Sequence, residues 1–188
     1  PAALAREAKV AAAVANPAVP QEAAARPTVV TPVPFGRDGL ASLALKPRVH
    51  LAAGDNLERA PSIGPKLAER FAAGGIATVA DFLNADVNAA VALLGDSRIT
   101  AETITRWKSE SILVLRVPGL RGTHAQLLVG AGFGTAELLA AADPMALSSA
   151  LLTFATTPEG ARILRSGDAP DVEAVTRWVR SAQEALAA

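Results

Sequence analysis

The sequence predicts an all-α fold in which two similar helical units follow an Ala/Pro-rich extended arm. Three observations lead to this prediction. From about residue 56, apolar side chains recur every three or four positions, which is the spacing of one helix face. A 23-residue segment recurs 57 positions later, and an 11-residue segment recurs 71 positions later. The first 55 residues carry repeated prolines, which interrupt helices.

Residues 1–55 form the predicted arm. The stretch PAALAREAKVAAAVAN favours a short N-terminal helix, which the pair Asn16-Pro17 would end. The prolines that follow favour extended, polyproline-like chain. This composition is typical of a solvated linker. The alternative is that the arm lies along its own domain or along a partner, which is either another protein or the rest of a longer chain. The start at Pro1 without a methionine favours a longer or processed polypeptide.

The first unit is predicted over residues 56–116. Its first long helix has an apolar stripe that consists of Ile63, Leu67, Ala68 and Phe71. Pro65 suits the first turn of this helix, because its missing N–H is not needed there. Gly74-Gly75 predicts a positive-φ stop, and Thr78-Val79-Ala80-Asp81 has the pattern of a capping box that starts the next helix.

The second unit is predicted over residues 117–188. Its segment PGLRGTHAQLLVGAGFGTAELLA aligns with PSIGPKLAERFAAGGIATVADFL at an offset of 57, and VEAVTRWVRSA aligns with AETITRWKSES at an offset of 71. The difference of 14 residues predicts an insertion between the hairpin and the closing helix. Because Thr157-Pro158-Glu159 has the pattern of a helix start, we expect one additional helix in that insertion.

Each unit ends in an amphipathic helix that bears a tryptophan, Trp107 in the first and Trp178 in the second. Exposed indoles could stack on nucleic-acid bases. The stronger prediction is that both anchor the two units structurally, because each lies on an apolar helical stripe.

The charge balance is that of a neutral protein, with 18 basic and 18 acidic residues. Residues 1–60 hold seven basic against five acidic residues, and residues 61–188 hold eleven against thirteen. A dedicated nucleic-acid binder usually has a basic excess, so this balance disfavours that class. The absence of cysteine excludes disulfides and thiolate metal sites and favours a cytoplasmic location. No run of about 18 apolar residues occurs, so we expect no membrane insertion.

The stretch IGPKLAERFAAGGIATVADFL resembles a helix-hairpin-helix motif. The whole layout, with VPGLRGTHAQLLVGAGF and TPEGARILRSGDAPDVEAVTRW following in order, resembles a bacterial domain-of-unknown-function family built from tandem helix-hairpin-helix units. The resemblance covers about residues 56–184. Helix-hairpin-helix proteins often bind DNA without sequence specificity, through hairpin backbone N–H groups that contact a phosphate.

The resemblance places two candidate binding hairpins in this chain. The family pattern is hydrophobic, Gly, hydrophobic, Gly, and each hairpin here keeps only one of the glycines. The candidate phosphate- or partner-binding residues are Ser62, Ile63, Gly64, Lys66 and Arg70 in the first hairpin and Gly119, Leu120, Arg121, Gly122 and His124 in the second. Arg59 and Arg116 are further candidate cations, although solvated helix-face charge explains such residues as well.

No pattern predicts a catalytic residue, a cofactor or a metal site. The histidines, His50 and His124, do not have metal-ligand spacing, and no serine lies in a nucleophile-elbow pattern. GAGFG at 130–134 follows a helix rather than a strand, which favours helix termination over a nucleotide loop.

These observations predict a non-enzymatic interaction module, either a docking component of a larger assembly or a regulatory domain of a longer polypeptide. The alternative is DNA or RNA binding without sequence specificity, through backbone contacts from the hairpins to phosphates.

Overall fold

The computed structural model describes residues 48–165 and 169–188. Regular structure in these ranges is helical, which confirms the all-α prediction there. A 3-10 helix, Leu57–Arg59, is followed by α1 (Pro65–Ala73), α2 (Val79–Asn84), α3 (Val87–Leu94), α4 (Ala101–Arg116), α5 (Gly122–Gly130), α6 (Ala136–Ala141), α7 (Pro144–Ala155), α8 (Pro158–Leu164) and α9 (Val172–Ala187). The predicted N-terminal helix and the extended chain after it lie outside the described residues.

The ends of α1 and α2 follow from their sequence. Pro65 is the first residue of α1, and Gly75 follows its end with a φ of 86°. The Thr78 side chain accepts a hydrogen bond from the Asp81 backbone N–H at 3.1 Å. The Asp81 carboxylate accepts one from the Thr78 N–H at 2.9 Å. The predicted capping box is therefore formed at the start of α2.

The helix bounds recur at the two offsets that the sequence matches indicate. Helices α5 and α6 have the lengths of α1 and α2 and begin 57 residues after them. The start of α7 follows that of α3 by the same distance, and α9 follows α4 by 71 residues with an equal length. Helix α8 begins after Thr157, whose side chain accepts from the Gly160 N–H at 3.1 Å. A helix therefore starts where Thr157-Pro158-Glu159 predicts one.

One hydrophobic core runs through the described helices. Its largest fully buried side chains include Phe71 and Phe82 from residues 56–116, the first half, and Leu127, Leu139 and Leu147 from residues 117–188, the second half. Both Trp107 and Trp178 are buried, so neither indole presents an open face for base stacking.

Residues 48–55, which the sequence assigns to the arm, pack against these helices. Leu51 is buried in the core. The Ala53 carbonyl accepts a hydrogen bond from the Ala80 N–H at 2.8 Å, and the Asp55 carbonyl accepts one from the Val79 N–H at 3.0 Å. Both N–H groups belong to the first turn of α2. This short segment therefore caps α2 and is part of the folded domain.

Candidate functional site

The two predicted hairpins are turns with one shared backbone feature. Ser62 in the first turn has a φ of 64°, and Gly119, 57 residues later, has a φ of 83°. The next residue in each turn, Ile63 or Leu120, is buried in the core. Each turn is therefore fixed to the domain by an apolar side chain.

The side chain of Ser62 points into the domain. Its hydroxyl donates to the Glu110 carboxylate on α4 at 2.5 Å and accepts from the Gln126 amide on α5 at 2.8 Å. The first turn is thereby joined to two helices, one of which belongs to the second half.

The second turn is in contact with residues of the first half and with the end of the arm. The Gly119 backbone N–H donates to the Arg48 carbonyl at 3.0 Å. A Cβ atom placed on Gly122 would lie 3.4 Å from Cγ of Pro61. The two turns therefore lie side by side.

The remaining candidate residues of the two turns are mostly exposed. Gly64, Lys66, Arg70 and Arg121 all face solvent. The additional candidate cations are engaged elsewhere, because Arg59 pairs with Asp55 at 2.9 Å and Arg116 pairs with Glu137 at 2.7 Å.

His124 on α5 is half-buried and stacks on Trp178 of α9, with 4.4 Å between the ring centroids. Burial lowers its pKa, and the charges of Arg121 and His50 lower it further. A lowered pKa favours the neutral imidazole, which is a poor partner for a phosphate. Together with the contact to Trp178, this favours a packing role for His124.

A cavity that no sequence pattern predicts opens between the first turn, α4, α5 and α8. Its volume is about 350 Å³. The lining residues are Ser62, Thr103, Arg106, Trp107, Glu110, Gln126, Glu159, Arg162, Ile163 and Arg165. They come from four separate parts of the chain, so no local motif marks them. The one residue that distinguishes this place in the sequence is Ser62, because the second turn has a glycine, Gly119, at the matching position.

A network of charged side chains lines this cavity. Arg106 forms an ion pair with Glu159, and its Nε lies 3.7 Å from Glu110 Oε1. Arg162 lies 3.9 Å from the same Glu159 oxygen. Glu110 is only 2% exposed, and burial raises its pKa, although the Ser62 hydrogen bond and the Arg106 charge oppose this shift.

Two features of the cavity are energetically unfavourable in isolation. Nε of Arg106 is buried and has no hydrogen-bond partner among the described residues. Ser62 and Arg165 both have positive φ, and they are the two non-glycine residues of the described ranges that do. An unpartnered buried donor costs free energy, and so does a left-handed backbone at a residue with a Cβ.

A family model described as a domain of unknown function (DUF4332) matches residues 61–185. The chain belongs to the DUF4332 family. The DUF4332 region runs from the first turn into α9, so it contains every residue of the cavity and leaves out Arg48 and Leu51. Among curated proteins and among solved structures, nothing matched the chain.

Two features are absent from the described residues. No group of three or more His, Asp or Glu side chains there is arranged to hold a metal ion. No helix there is long and apolar enough to cross a membrane.

Proposed function

We propose that this DUF4332 chain is a non-enzymatic docking module of two helix-hairpin-helix units, residues 56–116 and 117–188. The observation that carries the proposal is that both hairpin turns are engaged within the domain. Ser62 is bonded to Glu110 and Gln126, and the Gly119 N–H is bonded to the Arg48 carbonyl. The turns therefore act as joints, and the partner is another protein or the rest of a longer chain.

The engaged turns bear on the alternative of nucleic-acid binding. A hairpin holds a phosphate through backbone N–H groups that are open to solvent. The Gly119 N–H already donates to a carbonyl, and a phosphate there would have to displace the Arg48 segment. The DUF4332 region also lacks the basic excess that non-specific binding to phosphates requires.

Exposed apolar side chains of the second half indicate where a protein partner would bind. Met145 and Leu152, at 65% and 52% exposure, lie seven residues apart and so share one face of α7. Leu138 on α6 and Leu186 on α9 are also exposed, and both of these helices belong to the packed group that includes α7. Exposed apolar residues grouped on neighbouring helices are typical of protein contacts.

A charge-introducing double variant tests this docking face. Met145→Glu with Leu152→Glu should leave the fold intact, because both side chains are exposed, and should abolish partner association. Ala89→Glu with Ala92→Glu is the matched control, since it adds the same charge to exposed positions of α3. Full-length tagged chains would be purified from cells that make the protein, and their retained proteins quantified by mass spectrometry. Equal retention by wild type and both variants would overturn the assignment of this face.

The nucleic-acid alternative is favoured by one observation, the open space at Gly64 next to exposed Lys66 and Arg70. Fluorescence anisotropy with labelled duplex DNA and single-stranded RNA, from about 50 to about 200 mM salt, separates the two functions. We expect no saturable binding. Micromolar affinity that falls steeply with salt, and that Gly64→Glu weakens, would overturn the proposal that the turns are joints.

A further inference from the structure

We propose that the cavity between the first turn, α4, α5 and α8 binds a small organic anion through its phosphate or carboxylate group. This function is separate from the docking of a partner. The volume of about 350 Å³ lies within the range of small-molecule sites, which is roughly 300–1,000 Å³.

The charged groups of the cavity determine the class of ligand. Its carboxylates already have partners, because Glu110 accepts from Ser62 and Glu159 is paired with Arg106 and Arg162. Three guanidinium groups line the same cavity, those of Arg106, Arg162 and Arg165, and the last two residues are exposed. This excess of donors over the two carboxylates favours a ligand that accepts hydrogen bonds.

Guanidinium groups select oxyanions among such acceptors. Arg106, Arg162 and Arg165 all line the cavity, and two carboxylates offset part of their charge. Arginine presents a planar set of donors that matches the oxygens of a phosphate or carboxylate. A ligand oxyanion would bind the guanidinium groups that line the cavity and would balance their excess positive charge.

The rest of the lining fits the organic part of the ligand. Trp107 and Ile163 supply apolar surface, while Thr103 and Gln126 supply neutral hydrogen-bonding groups. Apart from Trp107 and Ile163, the other eight of the ten lining residues are polar or charged, so the cavity favours a small polar anion over a largely apolar ligand.

Backbone strain is an independent observation that points to the same cavity. Ser62 and Arg165, the two non-glycine residues with positive φ in the described chain, both line it. Strained residues persist where their side chains are needed, and they cluster at ligand sites. Glycine at Ser62 would relieve the strain but would remove the hydroxyl that holds Glu110.

The additional helix α8 supplies the outer wall of the cavity. Glu159, Arg162 and Ile163 belong to α8, and Arg165 follows its last residue. The insertion that distinguishes the second half thus contributes most of the charged lining.

Nuclear magnetic resonance of the full chain tests the proposal without an introduced reporter. The two tryptophans give separate indole N–H signals, and they lie in different places. Trp107 lines the cavity, whereas Trp178 packs against His124. The probes are inorganic phosphate, glycerol phosphate and succinate, each titrated to about 10 mM. We expect a saturable shift of the Trp107 signal and a constant Trp178 signal.

Paired charge variants locate the binding. Arg162→Gln with Arg165→Gln should weaken the affinity roughly tenfold or more, since each removes a charge-assisted contact. Arg177→Gln with Arg180→Gln removes the same charge from the exposed side of α9 and should leave the affinity unchanged. A stronger response to glycerol phosphate than to succinate assigns a phosphate ester, and the reverse assigns a carboxylate. No saturable Trp107 shift with any probe, or equal weakening by both pairs, would overturn the site.

Discussion

In the first half of the domain, residues 56–116, the left-handed position of the turn is held by Ser62, whereas in the second half, residues 117–188, it is held by Gly119. Glycine adopts this backbone conformation without strain. Serine does so at a cost, and here its hydroxyl is bonded to two other helices. The second half also contains α8 between α7 and α9, whereas none of the described residues between α3 and α4 forms a helix.

Both differences meet at one cavity. Ser62 forms part of its inner wall, and α8 supplies most of its charged outer wall. Positions where the halves agree, such as the caps Thr78 and Thr135, serve local helix formation. The comparison teaches that the common frame provides stability, while the departures from it are concentrated where we place a ligand.

The largest expected effect on stability comes from the packing of α8 against the end of α7. A Cβ on Gly160 would clash with the Phe154 carbonyl oxygen and lie 2.8 Å from the Cα of Ala155. Backbone cannot yield as a flexible side chain does, so Gly160→Ala should lower the free energy of unfolding by about 3 kcal/mol. Urea denaturation measures this change. Gly54→Ala is the control, because nothing lies within 4 Å of its added Cβ. Similar urea midpoints for the two variants would show that close backbone contact at Gly160 does not hold α8 in place.

The next effect separates the two roles of Ser62. Ser62→Ala retains the strained backbone and removes the hydroxyl, which leaves buried Glu110 and Gln126 without this partner. We expect a loss of about 1–3 kcal/mol in the free energy of unfolding. Ser62→Gly relieves the strain as well, so it should be more stable than Ser62→Ala by about 1–2 kcal/mol. If the two variants have equal stability, Ser62 is not strained and the contrast with Gly119 disappears.

A smaller effect is expected at the glycine of the second turn. Gly119→Ala places a Cβ on a residue with a φ of 83°, which should cost about 1–2 kcal/mol. Gly64→Ala is its control in the first turn, because Gly64 has a φ of −89° and open space around it. Chemical denaturation of both variants gives the comparison. A neutral Gly119→Ala would mean that this turn can change its conformation.

The smallest effect is the pH dependence that Glu110 confers. Burial raises the pKa of Glu110 above its unfolded value of about 4.3, so the folded chain holds this proton more tightly. The free energy of unfolding therefore falls as pH rises from about 4.3 through the folded pKa. Glu110→Gln removes this ionisation, and its stability relative to wild type should increase between about pH 4 and about pH 7. Glu184→Gln, at an exposed position of α9, is the control. A stability difference that stays constant or shrinks with rising pH would contradict the burial effect.

The helices were predictable where local chemistry decides their ends. Pro65, Gly75, the Thr78 box and Thr157 each act within a few residues of their own helix, so the sequence pattern was sufficient. Helix α3 was missed, although Asp86 caps it and Gly95 ends it with a φ of 55°. Its sequence, VNAAVALL, is apolar with little contrast between faces, and periodicity gives a weak signal in such a segment.

The cavity could not be predicted in the same way. Ser62, Glu110, Gln126 and Glu159 are brought together by packing between helices, and their separation along the chain carries no local pattern. The loss of a hairpin glycine at Ser62 indicates only an incomplete family pattern when the sequence is considered alone. In the structure, a serine at a left-handed position is costly and therefore needs a compensating contact, which Glu110 and Gln126 supply.

The hydrogen bond between Arg48 and Gly119, together with the buried Leu51, also has a mechanical consequence. Tension applied to the chain at Arg48 would act directly on the second turn through this bond and on the core through Leu51. The load would thus enter where the two halves meet, and it would bypass the C-terminal helix. A pull on the N-terminal side of this module would therefore load the second turn and the core before it reached the C-terminal helix.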